Sequence, residues 1–244
     1  MDELTLILNA AEKRLQFILL QDEILLHAEE SEPQKNGTDP LLSHINHACR
    51  QLGTHPNRIK KIAATAGPGN FMGIRLTAAI AGAFCRANNG MQASINYMQA
   101  LAYNYFAKEE EIIHIVTAGT RELVHSQCFQ YINGMAQALQ EIRLIPFEQL
   151  SGIPCEFCCG SGIRTEKVQE ILKNHGCALL PSSFDSPSIN SLLQCLKTVQ
   201  WQKEDISPLY LKECDAVQNL PHIAELQGRN PEESRQELER LLKA

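Results

Sequence analysis

Hydrophobic positions along this chain fall into short runs of two periods, and the order of those runs repeats. Leu4 to Leu8, Leu15 to Leu20 and Glu23 to Glu30 are brief apolar or alternating stretches separated by two to six residues, as expected of an antiparallel meander. A polar break follows from Ser31 to Pro40. Leu41 to Leu52 then places Leu42, Ile45, Ala48, Cys49 and Leu52 on one helical stripe, with Thr38 or Asp39 as available caps. Ile59 to Ala66 reads as a short buried strand, and Ile74 to Ala87 as a second helix. The first half therefore predicts three strands, a helix, a strand and a helix.

The second half predicts the same order. Ile112 to Thr117, Leu123 to Tyr131 and Met135 to Ile145 read as strands, Phe147 to Ser151 as a turn, and Cys155 to Cys159 as another strand. Arg164 to His175 reads as a helix, Cys177 to Leu180 as a short strand and Ser188 to Gln200 as a helix. Two such units in tandem imply an α/β protein of two lobes, at residues 1–105 and 106–212. The tail, 213–244, differs in character. Asn230, Pro231 and Glu233 suit the N-cap, N1 and N3 positions of a helix over 231–243 that carries Leu238, Leu241 and Leu242 on one side.

Between the fourth strand and the second helix lies Gly67-Pro68-Gly69-Asn70-Phe71-Met72-Gly73-Ile74-Arg75. Glycines at 67, 69 and 73 permit positive φ or close backbone approach, while Pro68 restricts itself and the residue before it. A strand-turn-helix of this kind aims unpaired helix N–H groups outward, so it reads either as a phosphate cradle or as a tight connection without a ligand. The Lys followed by Ser or Thr of a nucleotide-hydrolase phosphate loop is missing. Arg75, placed in the first helical turn, opposes the helix dipole and calls for an anionic partner. The helix is apolar around most of its circumference, with Ala79, Gly82 and Ala83 on its second face. That implies either a subunit interface or a core helix between layers.

Those nine residues resemble the Gly-Pro-Gly-Ser-Phe-Thr-Gly-(Val/Leu/Ile)-Arg signature of the TsaB (YeaZ) family, with Asn70 in place of Ser and Met72 in place of Thr. The short opening strand, the leucine-bearing helix near 40–52 and the late Pro208-Leu209-Tyr210-Leu211 extend the resemblance over most of 4–212. It implies two ribonuclease-H-like lobes of the actin, Hsp70 and sugar kinase superfamily. It also implies a non-catalytic scaffold in tRNA threonylcarbamoyladenosine synthesis, partnering a TsaD-like protein that holds the ATP and metal. A TsaE-like ATPase would join through the complex, tRNA would be contacted indirectly, and a homodimer is a further possibility. The partner surface carried over from the family comprises Leu42, Ile45 and Cys49 on the first helix and Arg75, Ala79, Gly82 and Ala83 on the second. Gly67, Pro68, Gly69, Phe71 and Gly73 form the signature turn.

Composition narrows the alternatives. The 244 residues carry a net charge of −6, with 44% hydrophobic and 20% charged positions, and no segment clusters Lys and Arg with aromatics as a nucleic-acid surface would. No apolar run is long enough for a membrane span. An acidic Met1-Asp2-Glu3 start and nine cysteines point to reduced thiols in the cytoplasm.

In that superfamily an acidic residue in a turn at the start of each lobe organises metal and nucleotide. Here the turns read Asn9-Ala10-Ala11-Glu12 and Thr117-Ala118-Gly119-Thr120, so the expectation is no cofactor and no metal in this chain, unless Glu12 compensates. The competing reading is an ATP-dependent small-molecule kinase or transferase on the same fold. Cys155-Glu156-Phe157-Cys158-Cys159 lacks a second ligand pair, which favours structural thiols over zinc or redox chemistry. His44 and His47, three apart on a helix, have no third ligand in view, and Gly160-Ser161-Gly162 is a second strand-to-helix turn.

Overall fold

The computed structural model describes residues 3–31, 41–105, 108–119, 122–153, 156–211, 220–226, 228–234 and 236. Two compact units divide the chain, Met1–Leu209 and Tyr210–Ala244. In the first unit β1 (Leu4–Asn9), β2 (Leu15–Gln21) and β3 (Ile24–Ser31) form the expected meander, followed by α1 (Leu41–Gln51), β4 (Ile59–Gly67) and α2 (Phe71–Asn88). β5 (Met91–Asn96) and α3 (Tyr97–Ala102) come next. The strands hydrogen-bond in the order β3-β2-β1-β4-β5, antiparallel through the meander and parallel from β1 to β4 to β5.

The second half builds the same sheet again. β6 (Ile112–Ala118), β7 (Leu123–Ile132) and β8 (Met135–Ala138) are antiparallel; β10 (Phe157–Cys159) and β11 (Ala178–Leu179) run parallel to β6. The order β8-β7-β6-β10-β11 repeats that of the first sheet, with β9 (Arg143–Pro146) added beside β7. α4 (Glu166–Asn174) and α5 (Ile189–Cys195) complete the unit. This duplicated topology is the expected α/β pair of ribonuclease-H-like lobes.

Strand periodicity of two explains where the cores lie. Leu4, Leu6 and Leu8 of β1, with Leu15, Phe17 and Leu19 of β2, meet Leu41, Ile45 and Cys49 of α1 and Ile80 and Ala81 of α2 in one buried layer. The alternate residues Ile7, Ile18, Leu20 and Ala63 face the opposite way, into a core shared with α3, α5, β6 and β7. A third cluster lies on the far face of the second sheet, between Val116, Val124 and Cys158 and helix α4. The middle cluster, drawn from both lobes, joins them into one unit.

The structure moves several expected boundaries. The strand read over Met135 to Ile145 is two strands, and the helix read over Ser188 to Gln200 ends at Cys195. α3 carries no amphipathic signal because Tyr97, Met98, Ala100, Leu101 and Ala102 are all buried, while β5 alternates Met91, Ala93 and Ile95 with polar residues over only six positions. Residues 201–209 return to the first lobe. Gln92 and Gln202 exchange backbone hydrogen bonds, Asp205 pairs with Arg86 at 2.8 Å, Ile206 is buried and the Leu209 N–H donates to the Ala66 carbonyl at 2.7 Å. In the tail unit a helix spans Leu220–Leu226, and Asn230 caps residues 231–234, its Oδ1 accepting from Glu232 N at 2.9 Å. Leu238, Leu241 and Leu242, with the caps expected at Thr38 or Asp39, lie outside the described residues.

Helix α2 starts at Phe71, three residues before the expected Ile74, because the Asn70 side chain caps it. Arg75 therefore sits in the second turn with its guanidinium 3.7 Å from the Phe71 ring centre. From there it does not oppose the dipole as its expected place in the first turn implied. A Cβ at Gly73 would overlap the Ala10 carbonyl oxygen, whereas one at Gly152 would meet nothing within 4 Å. Gly73→Ala gains roughly 1 kcal/mol of helix propensity but costs about 1–3 kcal/mol of backbone displacement, so it should destabilise in urea titration. Gly152→Ala should stay within about 0.5 kcal/mol of the parent.

Candidate functional site

The signature turn is shaped by contact with the first hairpin. Gly69 lies against the Ala11 carbonyl and Gly73 against the Ala10 carbonyl, each so close that a side chain would overlap it. The Asn70 N–H donates to the Ala11 oxygen at 2.5 Å. Asn70 Oδ1 then accepts from Met72 N at 3.0 Å and Gly73 N at 3.4 Å, which uses donors a phosphate would need. Of the two readings of this turn, a tight connection describes the geometry. Gly67, with φ of 116°, packs against Leu209 and Ile74, and the Gly67–Pro68 peptide is cis.

Asn9, at the end of β1, is fully committed inside the protein. Its Oδ1 accepts from Ala11 N at 3.2 Å and Thr65 Oγ1 at 2.9 Å, and its Nδ2 donates to Gln16 Oε1 at 2.6 Å. Gln16 in turn spends its amide N–H groups on Glu30 and the Pro187 carbonyl. A magnesium-phosphate group prefers carboxylate oxygens there, and this amide set does not fit one.

The second lobe mirrors the arrangement. Gly160, at φ of 112°, crowds the Val116 carbonyl, and Gly162 crowds Thr117. Between them Ser161 Oγ accepts from Ala118 N at 2.9 Å and donates to Glu12 Oε1 at 2.6 Å. One carboxyl on the first lobe's turn thus reaches the equivalent turn of the second. Tyr97 donates to Glu12 Oε2 at 3.3 Å, and Asp185 nearby is held by two Arg164 nitrogens at 2.7 Å. Burial pushes the Glu12 carboxyl up to about 7; hydrogen bonds from Ser161 and Tyr97 oppose that rise, and the Asp185 charge adds to it. An open cleft of about 560 Å³ lies here, lined by Glu12, Lys13, Gly69, Asn70, Ala118, Gly119 and Ser161. Ser161 drew attention in the sequence only as part of a glycine turn, and Tyr97, Arg164 and Asp185 had no local signal.

The surface residues carried over from the resemblance divide. Leu42, Arg75, Ala79 and Ala83 are exposed, whereas Ile45 and Cys49 are in the core and Gly82 is buried beneath Arg86 and Asp205. The last three cannot face a partner, while Arg75, Ala79 and Ala83 of α2 are exposed. His44 Nδ1 is paired with Glu29 on β3, and His47 is exposed. Among the described residues no group of three His, Cys, Asp or Glu side chains could hold a metal. Cys158 and Cys159 point to opposite faces of β10, both buried, with the Cys159 thiol pushed up to about 12 by burial; Cys155 lies outside the described residues. Among the described residues no helix is long and apolar enough to cross a membrane.

The model of the family TsaD: tRNA N6-adenosine threonylcarbamoyltransferase matches residues 31–219. The chain belongs to the TsaD family. No curated protein matches the sequence closely. Two solved structures from Pseudomonas aeruginosa share the fold at 17% identity, covering 86% of this chain and all of theirs. One is YeaZ, with a TM-score of 0.69; the other is described as an uncharacterized protein similar to peptidase YeaZ, with a TM-score of 0.71. Family and fold together bear out the resemblance to TsaB (YeaZ) proteins.

Two outcomes follow for this member of the TsaD family. Because the folded Glu12 carboxyl titrates near 7 and the unfolded one near 4.5, the folded state binds the extra proton between those values. Stability should fall as pH rises through that window, by up to about 3 kcal/mol, and Glu12→Gln should flatten the dependence in urea midpoints. Asn9→Asp would turn a carboxylate oxygen toward Gln16 Oε1, and calorimetric melting should show a loss of about 1–3 kcal/mol.

Proposed function

We propose that this TsaD-family chain is a non-catalytic subunit in tRNA threonylcarbamoyladenosine synthesis, paired with a TsaD-like partner that carries the catalytic machinery. The observation that carries this reading is the state of the two turns. Asn9 and Asn70 spend their side chains on the chain's own backbone and neighbours, and Ser161 binds Glu12, so the protein's own groups occupy the positions that would address a nucleotide. ATP and metal belong on the partner, with a TsaE-like ATPase reaching the complex through it and tRNA contacted indirectly.

The exposed face of α2 supports the same reading. Met72, Arg75, Ala79, Ala83 and Arg86 follow one another at three- and four-residue steps along the solvent side, and Met72 is 70% exposed. Alanines at the centre of that stripe let a partner helix approach closely. Leu42, 48% exposed on α1, adds apolar area to the same lobe. A second copy of the chain could use this surface when the partner is absent.

Ala79→Trp combined with Ala83→Trp should weaken heterodimer formation at least tenfold by light scattering and calorimetry, with the melting temperature unchanged. Expression in a bacterium depleted of its own TsaB should restore threonylcarbamoyladenosine in tRNA for the parent chain and not for the double variant. Saturable binding of magnesium-ATP by the isolated chain would overturn the non-catalytic assignment in favour of a kinase or transferase.

A further inference from the structure

The geometry points to a built-in latch: the chain of hydrogen bonds from Glu12 through Ser161 to the Ala118 amide ties the two lobes' turns to each other at the cleft, and its release lets that cleft widen. Each link lies on a different element. Glu12 projects from the turn after β1, Ser161 from the glycine turn after β10, and Ala118 ends β6. Glu12 Oε1 accepts from Ser161 Oγ at 2.6 Å, and the same oxygen of Ser161 accepts from Ala118 N at 2.9 Å. The hydroxyl's single proton is directed at Glu12, so Glu12 orients the serine that holds the amide.

What makes the bond releasable is the surroundings of the carboxyl. Lys13 stands on its own turn, Tyr97 on α3 donates to it, Asp185 approaches with its charge held by Arg164, and Cys159 is buried on β10. Burial favours the neutral acid strongly enough to bring its titration to about 7. Linkage is reciprocal. If closing the lobes makes ionisation harder, ionisation makes closing harder, and a carboxylate at mildly alkaline pH gains hydration by opening the cleft. A shift of this size allows the balance between closed and open to move by roughly 10²-fold over the titration. This inference concerns the lobes of the single chain and does not depend on the partner assigned above.

Hydrogen exchange of the Ala118 amide on the full chain, corrected for intrinsic rate, tests the latch. Parent protein should lose protection about tenfold or more between about pH 5.5 and about pH 8. Glu12→Gln keeps a neutral acceptor for Ser161 and should stay protected at both values, while Glu12→Ala leaves Ser161 unoriented and should be unprotected at both. Equal protection of the parent at both pH values, or protection of Glu12→Ala matching Glu12→Gln, overturns the proposal. The parent's own titration decides the matter should either variant fail to fold.

Discussion

Two peptide carbonyls pressed against two glycines hold the architecture of this protein in register. The Ala10 and Ala11 oxygens occupy the space that side chains at 73 and 69 would need, and the Asn70 amide closes the contact with a hydrogen bond. Backbone on backbone is the closest approach two segments can make, and it leaves no room for adjustment. It fixes where α2 begins relative to the end of β1, and therefore which face of α2 turns inward to Ile80 and Ala81 and which remains in solvent. The same proximity brings the first turn, with Glu12, to the mouth of the cleft.

The second lobe solves the same problem with different residues. Gly160 and Gly162 sit over the end of β6 as Gly69 and Gly73 sit over the end of β1, although the two stretches share little beyond glycine. A parallel strand followed by a helix must turn back over its neighbour, and only a residue without Cβ lets the turn lie that close. Two copies of one steric solution, facing each other, leave an open cleft between their turns. In this chain the cleft is bridged by a carboxyl, a hydroxyl and an amide of the protein itself. Turns spent on internal hydrogen bonds support the proposed non-catalytic role.

Burial and charge divide the labour along α2. Ile74, Thr77, Ile80, Ala81 and Cys85 are buried, while Arg75, Ala79, Ala83 and Arg86 stay outside. Gly82 was read with the outer face because small residues on a helix suggest close approach by another helix. The close approach is real, but it comes from the chain's own Arg86 and Asp205, drawn in by the return of residues 201–209. Ile45 and Cys49, carried over from the family as partner surface, lie in the core instead, and the apolar stripe of an amphipathic helix looks alike whether it meets a core or a partner.

Local pattern settled a good part of this structure in advance. The short apolar runs of β1, β2 and β4, the amphipathic α1, the glycine turn and the repeated element order are all short-range features that appear directly in the order of residues, and they carry the two-lobe α/β fold with them. α3 escaped that reading because it is buried nearly all round and shows no period, and β5 because it is a single strand of six residues. The candidate site escaped it for a different reason. Glu12, Tyr97, Ala118, Ser161 and Asp185 are spread over more than 170 positions, and each alone is an ordinary residue. Only the folding of two sheets against a shared core brings them within hydrogen-bond reach. The raised proton affinity of Glu12 comes from that enclosure, because desolvation belongs to the packed structure and to no single stretch of chain.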